Sequence, residues 1–214
     1  MEAILNKIIT VIGKKGYGKT TLVKLLVLLS SKPAIIIDPR FQFENEHYLY
    51  FQNIEEVEEW LKENYQRFYA FNKKIVIQSA EKQKVDKFLE FIYKYFKDIV
   101  LVIDEVDMFY NQRNFNDETA FYKLIHYGRH SRIDIITTSR RPANIPKDLT
   151  SQTDIFCLFQ TKENNDIKYL SQYLYGQEVF ETLRNLERFK YMEYDTEKDE
   201  FKIKSLDKSI LRYV

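Results

Sequence analysis

The stretch Gly13-Lys14-Lys15-Gly16-Tyr17-Gly18-Lys19-Thr20 decides the fold, because it fits the pattern G-x-x-x-x-G-K-[ST]. An apolar run of strand length, residues 7–12, precedes it, and a helical pattern begins near Lys19. Three of the chain's five glycines fall within these eight residues, and composition alone would give the pattern about one time in a thousand. A strand, a glycine loop and a helix in this order predict a phosphate-binding loop.

Each part of the loop has a task in binding a nucleoside triphosphate. Backbone N–H groups turn inward around the β-phosphate, and the helix N-terminus adds its positive end. Lys19 reaches the β- and γ-phosphate oxygens and is a predicted catalytic residue, while the Thr20 hydroxyl is offered to Mg²⁺. The predicted ligand is therefore ATP with Mg²⁺, bound by Gly13, Lys14, Lys15, Gly16, Tyr17, Gly18, Lys19, Thr20 and Thr21.

Length and composition predict a globular protein of one domain. A chain of 214 residues with 44% hydrophobic and 30% charged side chains is expected to form a single domain, residues 1–214. The one cysteine, Cys157, excludes a disulfide framework and a cysteine-rich zinc site.

The start lacks the features of a signal peptide, and Lys24 interrupts the longest apolar stretch. We expect no membrane span and a cytoplasmic protein, located in the host cytoplasm if it is viral.

Charge and histidine content narrow the possible ligands. The formal net charge is only +1, so any contact with nucleic acid must come from a local basic patch rather than from bulk charge. His47, His126 and His130 do not have a spacing typical of metal ligands. We expect them to be surface or packing residues.

Apolar runs alternate with helical patterns along most of the chain. The runs are short, rich in β-branched residues and continuous, as is typical of parallel strands buried on both faces. A pair of helices, residues 166–175 and 177–188, and a hairpin, residues 191–204, are predicted at the end. The pattern predicts a mainly parallel sheet flanked by helices, with strands at residues 7–12, 34–37, 74–78, 99–103, 133–138 and 155–159.

A second candidate site follows the apolar run 99–103, which ends in Asp104 and Glu105. Carboxylates at the end of a buried parallel strand lie at the edge where α/β sheets bind ligands. In this Walker B interpretation Asp104 holds Mg²⁺ and Glu105, a predicted catalytic residue, polarises the attacking water. The alternative is a solvated acidic turn, since Asp107 follows closely.

Asp38 is a rival metal ligand, because it also ends an apolar run. In nucleotide kinases and GTPases the metal aspartate lies on the strand next to the phosphate-loop strand, whereas in motor ATPases another strand intervenes. Sequence does not reveal which strands are neighbours. The Asp-Glu pair, with no Asn-Lys-x-Asp motif and no obvious arginine-rich lid, favours the motor branch.

Arginines lie at both ends of the predicted strand 133–138. At the carboxyl end of the strand Ser139 or Arg140 would face the γ-phosphate, whereas Arg129 or Arg132 precedes the strand and would project into a neighbouring subunit as an arginine finger. The three arginines are predicted catalytic residues. The alternative is an exposed basic rim, or ion pairs with Asp117, Glu118 and Asp134.

The order of these motifs resembles that of the HerA/FtsK superfamily of ring-forming, DNA-pumping ATPases. The chain is most similar to the small genome-packaging ATPases of turreted icosahedral archaeal viruses, and the resemblance covers nearly its whole length. Two positions depart from the family pattern: Arg140 stands where a glutamine sensor is usual, and Arg132 where glycine is frequent. The shared motifs are Gly13 to Thr20, Asp104-Glu105, Gly128-Arg129, Arg141-Pro142, Asn144-Ile145-Pro146 and Asp154.

The resemblance implies a RecA-like (ASCE) P-loop NTPase that hydrolyses ATP to translocate double-stranded DNA. It also implies a ring of subunits, usually a hexamer, with capsid or portal proteins as possible partners. Residues 110–116, which include Arg113, are a candidate pore loop for DNA phosphates, or else a solvated loop.

Two other functions stay open. One is a small-molecule or nucleotide kinase, which would need an acceptor pocket and a metabolite-dependent turnover. The other is an ATP-gated assembly or morphogenesis protein with weak hydrolysis, because some phage ATPases carry a similar Arg-Arg-Pro segment.

Overall fold

A computed structural model describes residues 7–79 and 81–206, and of Arg129 only the backbone. In this part of the chain the strands form one nine-stranded sheet. The strands are β1 Ile8–Ile12, β2 Ala34–Ile37, β3 Leu49–Phe51, β4 Lys74–Ile77, β5 Val100–Ile103, β6 Asp134–Ser139, β7 Ile155–Leu158, β8 Lys190–Asp195 and β9 Glu200–Ser205. The helices are α1 Lys19–Leu29, α2 Ile54–Glu63, α3 Tyr65–Ala70, α4 Lys82–Tyr95, α5 Ala120–Tyr127, α6 Lys147–Ser151, α7 Asn164–Leu170 and α8 Gln177–Asn185.

The sheet is parallel except at its C-terminal edge. The strand order is β3-β4-β2-β5-β6-β1-β7-β8-β9, and every pair from β3 to β7 is parallel. β8 pairs antiparallel with β7, and β9 antiparallel with β8. The predicted fold class is confirmed: a mainly parallel P-loop NTPase sheet with a C-terminal helical pair, α7 and α8, and a β-hairpin.

Both faces of the central strands are buried, which explains their continuous apolar sequences. All residues of β2, β4 and β5 are buried. Alternate side chains of β2 enter opposite core layers: Ile35 and Ile37 pack with the layer that includes α4 and α5, and Ile36 packs with the layer that includes α1. Within the described residues no helix is long and apolar enough to cross a bilayer.

The strand order resolves the ambiguity between the two candidate aspartates. β6 lies between β1, which leads into the phosphate loop, and β5, which ends at Asp104. This is the intervening-strand arrangement of the motor branch. Asp38 follows β2, one strand farther away, and its carboxylate accepts hydrogen bonds from the backbone N–H groups of Arg40, Gln42 and Phe43. Asp38 therefore stabilises a turn.

Two local details lie outside the sequence prediction. Residues 54–70 form two helices, α2 and α3, which meet at Asn64. The short edge strand β3 was not predicted, because its three residues are half-buried or exposed and form no continuous apolar run.

Candidate active site

A cavity of about 330 Å³ lies at the carboxyl ends of the parallel strands, a volume within the range of small-molecule sites. It brings together loop residues, the second carboxylate of the Asp-Glu pair and one predicted arginine. Gln42, Arg188 and Phe189 also line it and were not predicted. The full lining is Lys15, Gly16, Gly18, Lys19, Thr20, Thr21, Gln42, Glu105, Arg140, Arg188 and Phe189.

The loop between β1 and α1 depends on glycine at Gly18. Its φ of 112° lies in the left-handed region, and a Cβ placed there would stand 2.6 Å from Leu206 Cδ1. The loop begins against β6, since the Gly13 N–H donates to the Ser139 carbonyl at 3.2 Å. The predicted binding residues Gly13, Lys14 and Tyr17 do not line the cavity, and the Tyr17 hydroxyl instead donates to Gln160 Oε1.

Lys19 is the buried cation of the site. Only 8% of the residue is exposed, and this burial lowers its pKa, an effect opposed by the negative charges of Glu105 and Asp104. Its Nζ donates a hydrogen bond to the Lys14 carbonyl oxygen, with a distance of 3.4 Å between the two atoms. An ammonium carries three donors, so this lysine can still bind phosphate oxygens.

Thr20 and Asp104 provide oxygens that fit Mg²⁺. Thr20 Oγ1 donates its proton to Gln42 Oε1 at 2.9 Å, which leaves the hydroxyl lone pairs for a cation. Asp104 Oδ1 accepts from Thr138 Oγ1 at 2.7 Å, whereas its Oδ2 is buried and has no hydrogen-bond partner among the described residues. These residues fit a metal that takes its remaining ligands from phosphate and water. No cluster of three or more His, Cys, Asp or Glu suited to a metal occurs in the described ranges.

Burial of the Asp104 carboxyl lowers the free energy of unfolding when that group is ionised. It raises the pKa of this carboxyl to about 6, from about 4 in an unfolded chain. The folded protein then binds this proton more tightly, so the ionised group destabilises the fold increasingly between about pH 4 and pH 6. Without nucleotide or metal, we expect Asp104→Asn to raise the free energy of unfolding at pH 7 by about 3 kcal/mol and to change it little at pH 4. Urea unfolding at both pH values measures this, and an equal difference at both would contradict the assignment.

Glu105 is held in place by Thr138 on β6 and by Arg140, which directly follows that strand. Its φ and ψ of 48° and 54° are left-handed, a conformation that costs a non-glycine residue strain energy. Its N–H donates to Thr138 Oγ1 at 2.8 Å, and its carboxylate accepts from Arg140 Nε at 2.8 Å. Thr138 thus orients both acidic residues. Sequence reasoning assigned it no role, although its place two residues before Arg140 was a usable signal.

Of the two finger candidates, Arg132 lies away from the cavity. Arg132 precedes the amino end of β6, opposite the phosphate loop, and forms an ion pair with Asp98. Its φ of 56° explains why glycine suits this position. The Arg129 side chain lies outside the described part of the chain. A role in a neighbouring subunit stays a prediction for both.

The predicted pore loop, residues 110–116, is only partly exposed. Tyr110 and Phe115 are buried, and the Tyr110 hydroxyl donates to Asp86 Oδ1 at 2.7 Å. Burial of these aromatic rings anchors both ends of the segment to the core. Arg113 is exposed and stays available for phosphate contacts.

The sheet order, the glycine loop and the acidic strand end define a P-loop NTPase in which one strand separates the phosphate-loop strand from the acidic strand. A family model described as Zonular occludens toxin (Zot) matches residues 7–195. The chain belongs to the Zot family. No curated protein matches it.

The fold is also similar to solved structures at low identity. The genome packaging NTPase B204 from Sulfolobus turreted icosahedral virus 2 is 20% identical with a TM-score of 0.75, covering 94% of this chain and 97% of that one. VirB4 of Thermoanaerobacter pseudethanolicus is 13% identical with a TM-score of 0.64, covering 94% and 89%. The N-terminal domain of zonular occludens toxin from Neisseria meningitidis is 12% identical with a TM-score of 0.54, covering 97% and 98%. The predicted resemblance to viral genome-packaging ATPases is confirmed at the level of the fold.

Proposed function

We propose that this protein hydrolyses ATP to translocate double-stranded DNA, as a viral or mobile-element genome-packaging motor. The observation that carries the proposal is the placement of Glu105 and Arg140, paired at 2.8 Å, in the same cavity as Lys19. A carboxylate that can accept a proton from water, beside two cations that can bind phosphate, is the arrangement needed to hydrolyse the phosphoanhydride bond between the β- and γ-phosphates of ATP. The fold shared with the packaging NTPase B204, also solved with ATP-gammaS, supports the coupling to DNA.

The predicted site residues have separate roles in this proposal. The loop N–H groups and Lys19 bind the phosphates, and Thr20 and Asp104 hold Mg²⁺, which neutralises phosphate charge when bound. Glu105 orients and deprotonates the attacking water. The Arg140 guanidinium gives up its hydrogen bond with Glu105, binds the γ-phosphate and stabilises the charge that develops there.

The same proposal includes assembly and location. A ring of subunits, usually a hexamer, would thread DNA through its centre, with Arg113 near the phosphates and a neighbour's Arg129 or Arg132 completing the site. Each subunit would be one domain, residues 1–214. Capsid or portal proteins would be further partners, and packaging would take place in the host cytoplasm.

A second candidate function is an ATP-gated assembly protein with weak hydrolysis. The ion pair that already occupies Glu105 in this conformation favours it. A kinase is less well supported, because β6 separates β1 from β5, unlike the adjacent strands of nucleotide kinases.

The proposal is tested by ATP hydrolysis of the purified protein with and without long double-stranded DNA. Lys19→Ala serves as the blank, since it removes the cation that binds the phosphates. Stimulation by DNA that disappears in the variant supports a translocase. Robust turnover that ignores DNA contradicts it, and the absence of turnover under both conditions favours the assembly function.

A further inference from the structure

The cavity has one wall that the proposed hydrolysis does not use. It is formed by Arg188 and Phe189, in the connection between α8 and β8. The Arg188 guanidinium lies over the Phe189 ring, with Cζ 4.9 Å from the ring centroid. Arg188 Nε donates to the carbonyl of Gly16 at 2.7 Å. A stacked cation and aromatic ring are thereby fixed to the phosphate loop.

The strand order places this wall opposite the hydrolytic residues. β8 is antiparallel to β7, and its Met192 pairs with Leu158 at the end of β7, so residues 188 and 189 lie at the same edge of the sheet as the loop. β5 and β6 lie on one side of β1, and β7 and β8 on the other. A triphosphate whose γ-phosphate meets Glu105 and Arg140 must therefore extend its nucleoside toward Arg188.

The wall is preorganised by its backbone. Phe189 has a φ of 66°, a left-handed conformation that tertiary contacts must maintain. Its N–H donates to the Tyr17 carbonyl at 3.2 Å, and its own carbonyl accepts from the Leu206 N–H at 2.8 Å. Its ring lies against the loop, since a Cβ built on Gly18 would be 3.1 Å from Phe189 Cδ1. The position of the ring is thus tied to both the loop and the hairpin.

We propose that Arg188, supported by Phe189, is the nucleoside subsite and stacks on the purine base of the bound nucleotide. One guanidinium face is covered by Phe189, and the residue is exposed, so the other face is open to a second planar ring. Guanidinium groups are planar and weakly hydrated, which makes them good partners for aromatic faces. The inference rests on the proposed function only in that ATP is the ligand, and it does not depend on DNA.

The test compares the affinities of ATP and of inorganic tripolyphosphate, both with Mg²⁺, by calorimetry. Arg188→Ala is expected to weaken ATP binding about tenfold and tripolyphosphate binding by less than about twofold, because tripolyphosphate has no base. Arg188→Lys keeps the charge without the plane, so it should lose nearly as much ATP affinity. The matched control is Arg184→Ala on α8. The native Arg184 guanidinium donates to the Lys162 carbonyl and to Asn164 Oδ1, and it does not line the cavity.

Two results would overturn the inference. If Arg188→Ala weakens the binding of ATP and of tripolyphosphate equally, Arg188 only supports the loop through Gly16. If the variant leaves ATP affinity unchanged, the nucleoside does not contact this wall. Thermal unfolding checks that the variants fold. If Arg188→Ala does not fold, the ATP and tripolyphosphate affinities of Arg188→Lys decide whether Arg188 stacks on the base. A wild-type protein that binds neither ligand would instead contradict nucleotide binding at this loop.

Discussion

Glu105→Gln is expected to lower the rate of ATP hydrolysis by about 10²- to 10⁴-fold, the usual contribution of a general base, while ATP still binds. The amide keeps the size of the side chain and can still accept a hydrogen bond from Arg140 Nε, which is 2.8 Å from the carboxylate in the native site. It cannot take a proton from water. The change also removes a negative charge near the phosphates, so ATP affinity should hold or rise. Single-turnover hydrolysis and equilibrium binding of ATP measure the two effects separately.

The control for this variant is the same change at an exposed glutamate. Glu46 has 87% of its side chain exposed, and Glu46→Gln should leave both turnover and binding unchanged. If Glu105→Gln loses turnover but leaves biological function nearly intact, the protein is an assembly switch whose hydrolysis is incidental, and the motor proposal fails. Intact turnover would instead contradict the role of Glu105 as the general base.

Arg140→Ala is expected to lower turnover by at least about 10²-fold, since arginines that contact the transferred phosphoryl group contribute 10³ or more. The variant removes the guanidinium beside the γ-phosphate position and leaves the Glu105 carboxylate, whose side chain is 8% exposed, without its partner. Arg140→Lys keeps the charge but not the fork of donors, so it should restore only part of the rate. Steady-state kcat and KM for ATP are the measurements.

The neighbouring arginine provides the control for this second prediction. Arg141 pairs with Asp166, Nε to Oδ2 at 3.3 Å, and does not line the cavity. Arg141→Ala should therefore cost some thermal stability and leave kcat close to the native value. An increase of turnover in Arg140→Ala would mean that Arg140 acts only as a lock on Glu105, and its proposed contact with phosphate would be wrong.

Features set by neighbouring residues were predictable from the sequence. The phosphate loop follows from local glycine spacing, and the central strands follow from continuous β-branched runs that suit burial on both faces. The carboxylates Asp104 and Glu105 were identified because they end such a run. Arg140 was placed near the γ-phosphate by the same reasoning about strand ends, and the structure puts it in the cavity.

Features set by long-range contacts were not predictable. The insertion of β6 between β1 and β5 is a property of the whole sheet, and no local pattern encodes it. Arg188 contacts Gly16 across 172 positions of sequence, and nothing near Arg188 distinguishes it from other surface arginines. Gln42 was missed for a similar reason, since its partner Thr20 lies on another element.

The two ends of the sheet have a consequence for how copies of the chain can meet. At one end β3 has only three residues, and at the other β9 is mostly exposed and carries Lys202 and Lys204. Short edge strands and lysines on an edge discourage the main-chain pairing by which sheets of separate molecules fuse and aggregate. Molecules crowded side by side are therefore guided toward contacts between helices and loops, which can be made and broken without merging their backbones.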